Sequence, residues 1–269
     1  MTTMKILVCI KQVIDSDAPH RIATAGSWLK EDSGTPFRMN CYDEYALEEA
    51  LILKDTIPGV EIHALTLGPD RAGQVISRAL SKGADEGIHL RCNRLPLAAF
   101  ETATAIAAYA QGHNFDLILA GVMSEDAMQC QVGPMLAALL DIPCAVAVIK
   151  TAVAPEERSV SVVSELEGML AESVTIKLPA VLTIQSGENR PRYPSLSNIL
   201  RAKQKIVRTI DVTELTAEPR QEFGPLTYPP AATKGIILSG GLAEKAEQLL
   251  TILQERSLLN SSASSGRGA

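Results

Sequence analysis

Residues 117–140 read LILAGVMSEDAMQCQVGPMLAALL. A short apolar run passes through a polar loop, rich in carboxylates and amides and closed by a glycine, into a segment that must be helical. Strand, polar loop and helix in that order are the unit of an α/β fold, and the rest of the chain can be read outward from it. Upstream, KILVCI (5–10), EIHALTL (61–67), EGIHL (86–90) and DLILA (116–120) are β-rich runs. Between them DEYALEEALILK (43–54) repeats Tyr45, Leu47, Ala50, Leu51 and Leu53 at helical spacing. DRAGQVISRALSKG (70–83) and LAAFETATAIAAYAQG (97–112) follow, each closed by a glycine. This alternation predicts an α/β fold: a mostly parallel sheet with flanking helices and right-handed crossovers.

Downstream of PCAVAVIK (143–150) the rhythm changes. RSVSVVSELEGMLAESVTIKLPAVLTI (158–184) holds two β-rich runs around ELEGML and then a return strand, which predicts an antiparallel hairpin at the sheet edge. Residues 185–208 are polar and proline-bearing, then briefly helical and basic. Residues 214–235 carry four prolines without a sustained period and predict an extended arm. A C-terminal helix follows over 242–259, with Leu242, Ala246, Leu249, Leu250 and Leu253 on one stripe. The small polar residues that end the chain are expected to be flexible. The expected organisation is an α/β domain over 1–208, an arm and helix over 209–260 and a flexible tail over 261–269. An arm and helix outside the αβ rhythm suit an embrace of another subunit, and equally suit packing back on their own domain.

Composition narrows the classes. In 269 residues, 46% are hydrophobic, enough for a sizeable core. The five cysteines are odd in number and include no C-x-x-C pair, so neither a disulfide framework nor a zinc motif is indicated and a reducing compartment is expected. The N-terminal MTTMKILVCIKQVIDSD makes neither a signal peptide nor a membrane span, which points to the cytoplasm. A net charge of −6 with only one local basic cluster, 190–208, gives no reason to expect nucleic acid.

Ligands of parallel α/β sheets bind at the carboxyl ends of the strands. Residues 121–133 lie at such an end, and a helix starting near Gln129 or Gln131 would offer unpaired N–H groups and a favourable dipole to an anion. Gly133 would allow close approach, and Pro134 is tolerated in a first turn. The competing reading is that Ser124, Glu125 and Asp126 merely cap the helix, and two carboxylates would repel a phosphate unless they point to a ribose or back into the loop. Cys9, MNCYDE (39–44) and TLGPD (66–70) stand at other strand ends, and together these loops make the outline of a nucleotide pocket. Asp43 and Glu44, at a helix start, are assigned to the helix dipole. No G-x-G-x-x-G, P-loop or G-x-S-x-G is present, and His20, His63, His89 and His113 show no metal-ligand spacing. No nucleophile, base and orienter assemble, so a carrier or binding subunit fits better than a self-contained enzyme.

Five stretches, taken in order, resemble the β-subunit family of electron transfer flavoproteins: KILVCIKQVID, MNCYDEYALEEALILKD, LTLGPDRAGQVISRALSKGADEGIHL, FDLILAGVMSEDAMQCQVGPMLAALLDIP and VTIKLPAVLTIQSGENRPRYPSLSNILRAK. They run from about Met4 to about Arg208. The last is the most specific, matching the family's K-L-P-A-V strand and N-x-P-R-Y-x-x-L-x-N-I loop. The resemblance implies an adenine-nucleotide-binding α/β domain, α-hydrolase-like or Rossmann-like in kind. It also implies an electron-carrier heterodimer with an α subunit that holds the redox FAD, and AMP in this subunit. In the bifurcating and nitrogen-fixation branches a second FAD takes the place of AMP and is reduced by NADH. The resemblance places the nucleotide at Cys9, Asn40, Cys41, Tyr42, Asp43 and Leu67, at Gly121, Val122, Met123, Ser124 and Asp126, and along Ala127, Met128, Gln129, Cys130, Gln131, Val132 and Gly133. It implies a recognition loop, about 185–205, that docks flavoprotein dehydrogenases such as acyl-CoA dehydrogenases through Leu196 with Tyr193 and Ile199, steered by Arg201, Lys203 and Lys205. Electrons would pass on to an acceptor such as a quinone oxidoreductase. A stand-alone adenine-nucleotide-binding protein of similar fold is the third reading.

The sequence departs from the family in two loops. Cys41 stands where most members have proline, and Met128 where the phosphate loop usually has a carboxylate, while Asp126, Gln131 and Gly133 remain. These changes bear on the choice between AMP and FAD.

Overall fold

The structure is a computed structural model that describes residues 4–23, 26, 28–212, 220–230 and 235–259. The expected tail at 261–269 and parts of the expected arm lie outside the described residues. The chain forms two units, Met1–Leu226 and Thr227–Ala269.

The first unit contains β1 (Met4–Cys9), β2 (Gln12–Ile14), β3 (Phe37–Met39), α1 (Cys41–Thr56), β4 (Val60–Gly68), α2 (Gly73–Lys82), β5 (Glu86–Arg91), α3 (Ala99–Ala110) and β6 (Leu117–Gly121). It continues with α4 (Val132–Leu140), β7 (Cys144–Ala154), β8 (Ser159–Leu166), β9 (Leu170–Lys177), β10 (Ala180–Ile184), α5 (Leu196–Ala202) and β11 (Val207–Asp211). Nine strands form one sheet in the order β11-β5-β4-β1-β6-β10-β7-β8-β9. All neighbours from β11 to β7 are parallel, and β7, β8 and β9 are antiparallel.

The parallel strands are buried on both faces, which is why their sequences read as unbroken apolar runs. On β1, Ile6 and Val8 join the core beneath α1 and α2, with Leu47, Leu51, Ile76 and Leu80. Leu7 and Cys9 point the other way, to the core under α3 and α4, with Ile106 and Leu136. Two helical layers thus sandwich the sheet.

The α/β architecture expected from the alternation is the one found, with its hairpin, β8–β9, at the edge. Three details differ. The return strand β10 is no edge strand: it inserts between β6 and β7 and all five of its residues are buried. A small antiparallel pair, β2–β3, was not signalled, because strands of three residues carry no readable period. The basic stretch ends in β11, parallel to β5 at the far edge and tied to it by Arg91, whose Nε sits 2.5 Å from Asp211 Oδ1. A domain limit at 208 therefore falls inside a strand.

The second unit holds α6 (Leu242–Glu255), which buries none of its residues and exposes Leu242, Leu249 and Leu250.

Candidate functional site

The chain adds β4 and β5 on one side of β1 and then crosses to place β6 on the other. That reversal is a topological switch point, where the loops leaving β1 and β6 diverge and open a crevice. A pocket occupies this crevice, lined by residues following β1, β4 and β6 and by the start of α4.

The loop between β6 and α4 is held from behind by the N-terminal end of α1. Asn40, 1% exposed, uses both ends of its amide: Nδ2 donates to the Met123 carbonyl at 2.9 Å and Oδ1 accepts the Glu125 N–H at 3.0 Å. Glu125 answers by accepting the Cys41 N–H at 3.0 Å, so it caps α1 and not its own helix. Its other oxygen meets Arg38 Nη2 at 2.6 Å. Asp126 pairs with Lys11 Nζ at 2.6 Å, and the same ammonium donates to Ser124 Oγ at 3.2 Å. Both carboxylates that would repel an anion are therefore paired with cations, Glu125 with Arg38 and Asp126 with Lys11 at the pocket wall.

Asp43 is buried in the first turn of α1. Its carboxylate accepts the Lys11 N–H at 2.7 Å and the Gly121 N–H at 2.9 Å, clamping the ends of β1 and β6 together. Asp43 stands in the first turn of α1, as the dipole assignment expects, and its two oxygens also hold β6 and the chain just after β1. Burial pushes its carboxyl up to about 7, against the pull of these N–H donors and Lys11. Gly121 is required here, because a Cβ would stand 2.4 Å from Asp43 Oδ1.

Beyond Asp126 the backbone alternates in hand: Met128 and Cys130 have φ of 51° and 55°. Such alternation turns successive N–H groups toward one side. It leads into α4, which begins at Val132 after Gln131, slightly later than expected, and has no side-chain cap. Gly133 lets the first turn of α4 lie against β10, since a Cβ there would be 2.2 Å from Thr183 Cγ2.

Of the residues marked from sequence, Cys9, Asp43, Leu67, Gly121, Val122, Met123, Ser124, Asp126, Ala127, Gln129, Cys130, Gln131, Val132 and Gly133 line this one pocket. Asn40, Cys41, Tyr42 and Met128 do not line it; Asn40 and the Cys41 N–H act on the loop from outside. The Cys9 thiol is pushed well above its usual range by burial and then by Asp43. That of Cys41 is pushed up to about 11 by burial and then by Glu125. Both stay protonated and serve as packing groups.

Sequence reasoning missed Lys11 and the far wall. There Trp28, Phe37, Leu95, Leu97 and Phe223 make an apolar, aromatic end to the pocket. Arg71 fastens this wall: it pairs with Glu31 at 2.5 Å, donates to Gln12 Oε1 at 2.6 Å and lies 3.9 Å above the Phe37 ring. Phe223 arrives from the arm and meets Trp28 edge-on at 5.4 Å. Gln221 Nε2 donates to Gln131 Oε1 at 2.6 Å, and the Leu226 N–H to the Gly26 carbonyl at 2.8 Å. The stretch 220–226 thus packs on its own unit, at the pocket. A lone tryptophan in a loop of no regular structure gives no sequence signal for such a wall.

Tyr193 and Leu196 are 91% and 75% exposed, and Ile199 lies at the edge of exposure. The loop before them is anchored to α1: Glu48 accepts the Arg192 N–H at 2.8 Å and pairs with its guanidinium at 2.9 Å, and Asn189 donates to Glu49 at 2.8 Å. Arg201, Lys203 and Lys205 are all exposed at the helix end, and Lys205 Nζ donates to the Ala84 carbonyl at 2.6 Å.

Comparison with known proteins agrees with this geometry. The electron transfer flavoprotein domain model matches residues 28–215. The electron transfer flavoprotein subunit beta of Bacillus subtilis is 32% identical over 258 residues, 93% of this chain and 98% of that protein. That of Bos taurus is 32% identical over 260 residues, 95% and 98% of the two chains. The mitochondrial β subunit of Arabidopsis thaliana is 34% identical over 240 residues, 88% and 94%. A domain match over most of the chain and end-to-end likeness to named β subunits lead to one conclusion: the chain belongs to the electron transfer flavoprotein family, as a β subunit.

Proposed function

We propose that this β subunit pairs with a FAD-bearing α subunit, holds AMP in the switch-point pocket, and helps relay electrons from flavoprotein dehydrogenases to an acceptor such as a quinone oxidoreductase. The observation that carries the nucleotide assignment is the loop 121–133. Its carboxylates are neutralised by Lys11 and Arg38, while the uncapped start of α4 contributes Val132 and Gly133 to the pocket lining. A phosphate suits that end, and a flat base suits the aromatic end around Trp28. In this reading the chain binds and positions, and the redox FAD in the α subunit supplies the electron chemistry.

Docking of acyl-CoA dehydrogenases and related partners falls to Leu196, with Tyr193 and Ile199. A large exposed apolar side chain on a loop anchored by Glu48 and Glu49 is the form of an interface anchor. The exposed leucines of α6 suit contact with the α subunit. Five free cysteines suit a reducing compartment such as the cytoplasm, and no helix among the described residues is long and apolar enough to cross a membrane.

A second reading, FAD in place of AMP with oxidation of NADH, draws on the aromatic end of the same pocket, where a second flat ring system would also stack. Co-expression with the α partner, purification, denaturation and chromatography of the released nucleotides decide between them. One FAD and one AMP per heterodimer support the proposal. Two FAD without AMP support the second reading, and a chain that never co-purifies with an α subunit would leave a stand-alone nucleotide binder.

A further inference from the structure

At the opposite end of the strands from the pocket, β4 and β5 bring Glu61, His63 and Glu86 together, with one ligand atom from each within 4.8 Å of the others. Glu61 and His63 are two apart on β4 and so share a face, and Glu86 opens β5 in register with His63. This juxtaposition is made by strand pairing, so no local spacing in the sequence signals it.

The His63 side chain is 7% exposed and set edge-on to Phe115 at 5.3 Å. Its Nε2 lies 2.9 Å from Glu61 Oε1. An ionised carboxylate only accepts, so Nε2–H donates to Glu61, and in the neutral ring Nδ1 is then the lone pair. That Nδ1 is buried without a hydrogen-bond partner. Facing it, 3.6 Å away, is Glu86 Oε2, itself an acceptor. With the ring neutral, two acceptors face each other across a gap too wide for a hydrogen bond, a contact that favours a positive charge between them, be it a second ring proton or a metal ion.

A cation resolves that arrangement. Zinc bonds to imidazole nitrogen and carboxylate oxygen are about 2.0–2.2 Å long, which sets two ligands of a tetrahedral ion roughly 3.3–3.5 Å apart. The observed gap closes to that value with a small shift of Glu86, whose side chain is 58% exposed and free to follow. Glu61, holding the opposite ring nitrogen, has the place of the carboxylate that orients a metal-bound histidine.

We propose that Glu61, His63 and Glu86 form a binding site for a divalent transition cation of the zinc class. His63 Nδ1 and the Glu86 carboxylate are the ligands, Glu61 is the positioning residue, and water fills the remaining positions. The site is remote from the nucleotide pocket and stands whether AMP or FAD is bound there.

The test is a titration of the full-length, chelator-treated protein, labelled with nitrogen-15 histidine, with zinc chloride. With four histidines in the chain, each ring can be followed separately. The expected result is a shift of His63 Nδ1 that saturates at one zinc per chain. Glu86→Gln should weaken binding by about tenfold or more, and Glu61→Gln by about 10–100-fold. Glu86 is exposed, so its variant decides the matter even if the Glu61 variant folds poorly; far-ultraviolet circular dichroism in chelator confirms that each is folded. The proposal is overturned if His63 does not respond. It is equally overturned if zinc binds wild type and Glu86→Gln alike, as it would when held by a thiol such as the exposed Cys130, or if His63 carries protons on both nitrogens and ignores zinc.

Discussion

Asp43 Oδ1 accepts the backbone N–H of Gly121 at 2.9 Å, joining a helix start to a strand end 78 positions away. The same carboxylate holds Lys11, so one buried side chain sets the separation of the two strands that frame the pocket. Because burial raises this carboxyl to about 7, the folded protein binds its proton more tightly than the unfolded chain does. Its stabilising contribution is full below the unfolded value, near 4, and is lost as pH rises through about 7. Asparagine does not titrate there. The stability gap between wild type and Asp43→Asn, from urea unfolding at pH 5, 6, 7 and 8, should therefore narrow as pH rises. A gap that widens would show the carboxyl to be depressed instead.

Gly133 and Thr183 are matched in volume. Gly133→Ala drives a methyl into Thr183 Cγ2 and should destabilise the protein by about 1–3 kcal/mol. Thr183→Ser removes the opposing methyl but keeps the hydroxyl that accepts the Ala147 N–H at 3.1 Å. The double variant should recover most of the loss in urea midpoint; additive losses would place the strain elsewhere.

Lys11→Met leaves Asp126 unpaired at the pocket wall. Nucleotide affinity, followed through Trp28, the chain's single tryptophan, should fall by about tenfold, or ~1.4 kcal/mol. Lys11→Arg should retain most of it. Equal affinity in all three proteins would mean that the carboxylate is not felt by the ligand.

Glu48 fixes the exposed loop through Arg192. Glu48→Ala removes the acceptor of the Arg192 N–H and one of two carboxylates on its guanidinium, leaving Asp55 at 2.9 Å, so trypsin should cut the Arg192–Tyr193 bond several-fold faster. Unchanged cleavage would show that Asp55 on Arg192, with Asn189 on Glu49, suffices to hold the loop.

Much of this was legible in the sequence because it is local. Parallel strands buried on both faces announce themselves as apolar runs, and residues 121–133 stand out as a polar loop between such a run and a helix. What escaped is what depends on distant partners. Lys11 looks like any charged residue after a strand until Asp126, 115 positions away, is beside it. Trp28 and Phe223 belong to segments without period and become a wall only when the arm folds back. Asp43 keeps the helix-start place read for it, but its acceptor role could not be read, because its partners Lys11 and Gly121 lie 32 and 78 positions away. β11 escaped because a charged edge strand of five residues carries little apolar pattern, and its Asp211 has meaning only opposite Arg91.

The pairing of Glu125 and Asp126 has a kinetic consequence. With those charges spent on Arg38 and Lys11, an anion in the pocket is held by fixed backbone dipoles at short range and not by free cations. A chain of net charge −6 offers such an anion no long-range attraction from solution. Salt then screens a net repulsion, so an anion should enter this pocket faster as ionic strength rises, the reverse of a site steered by surface cations.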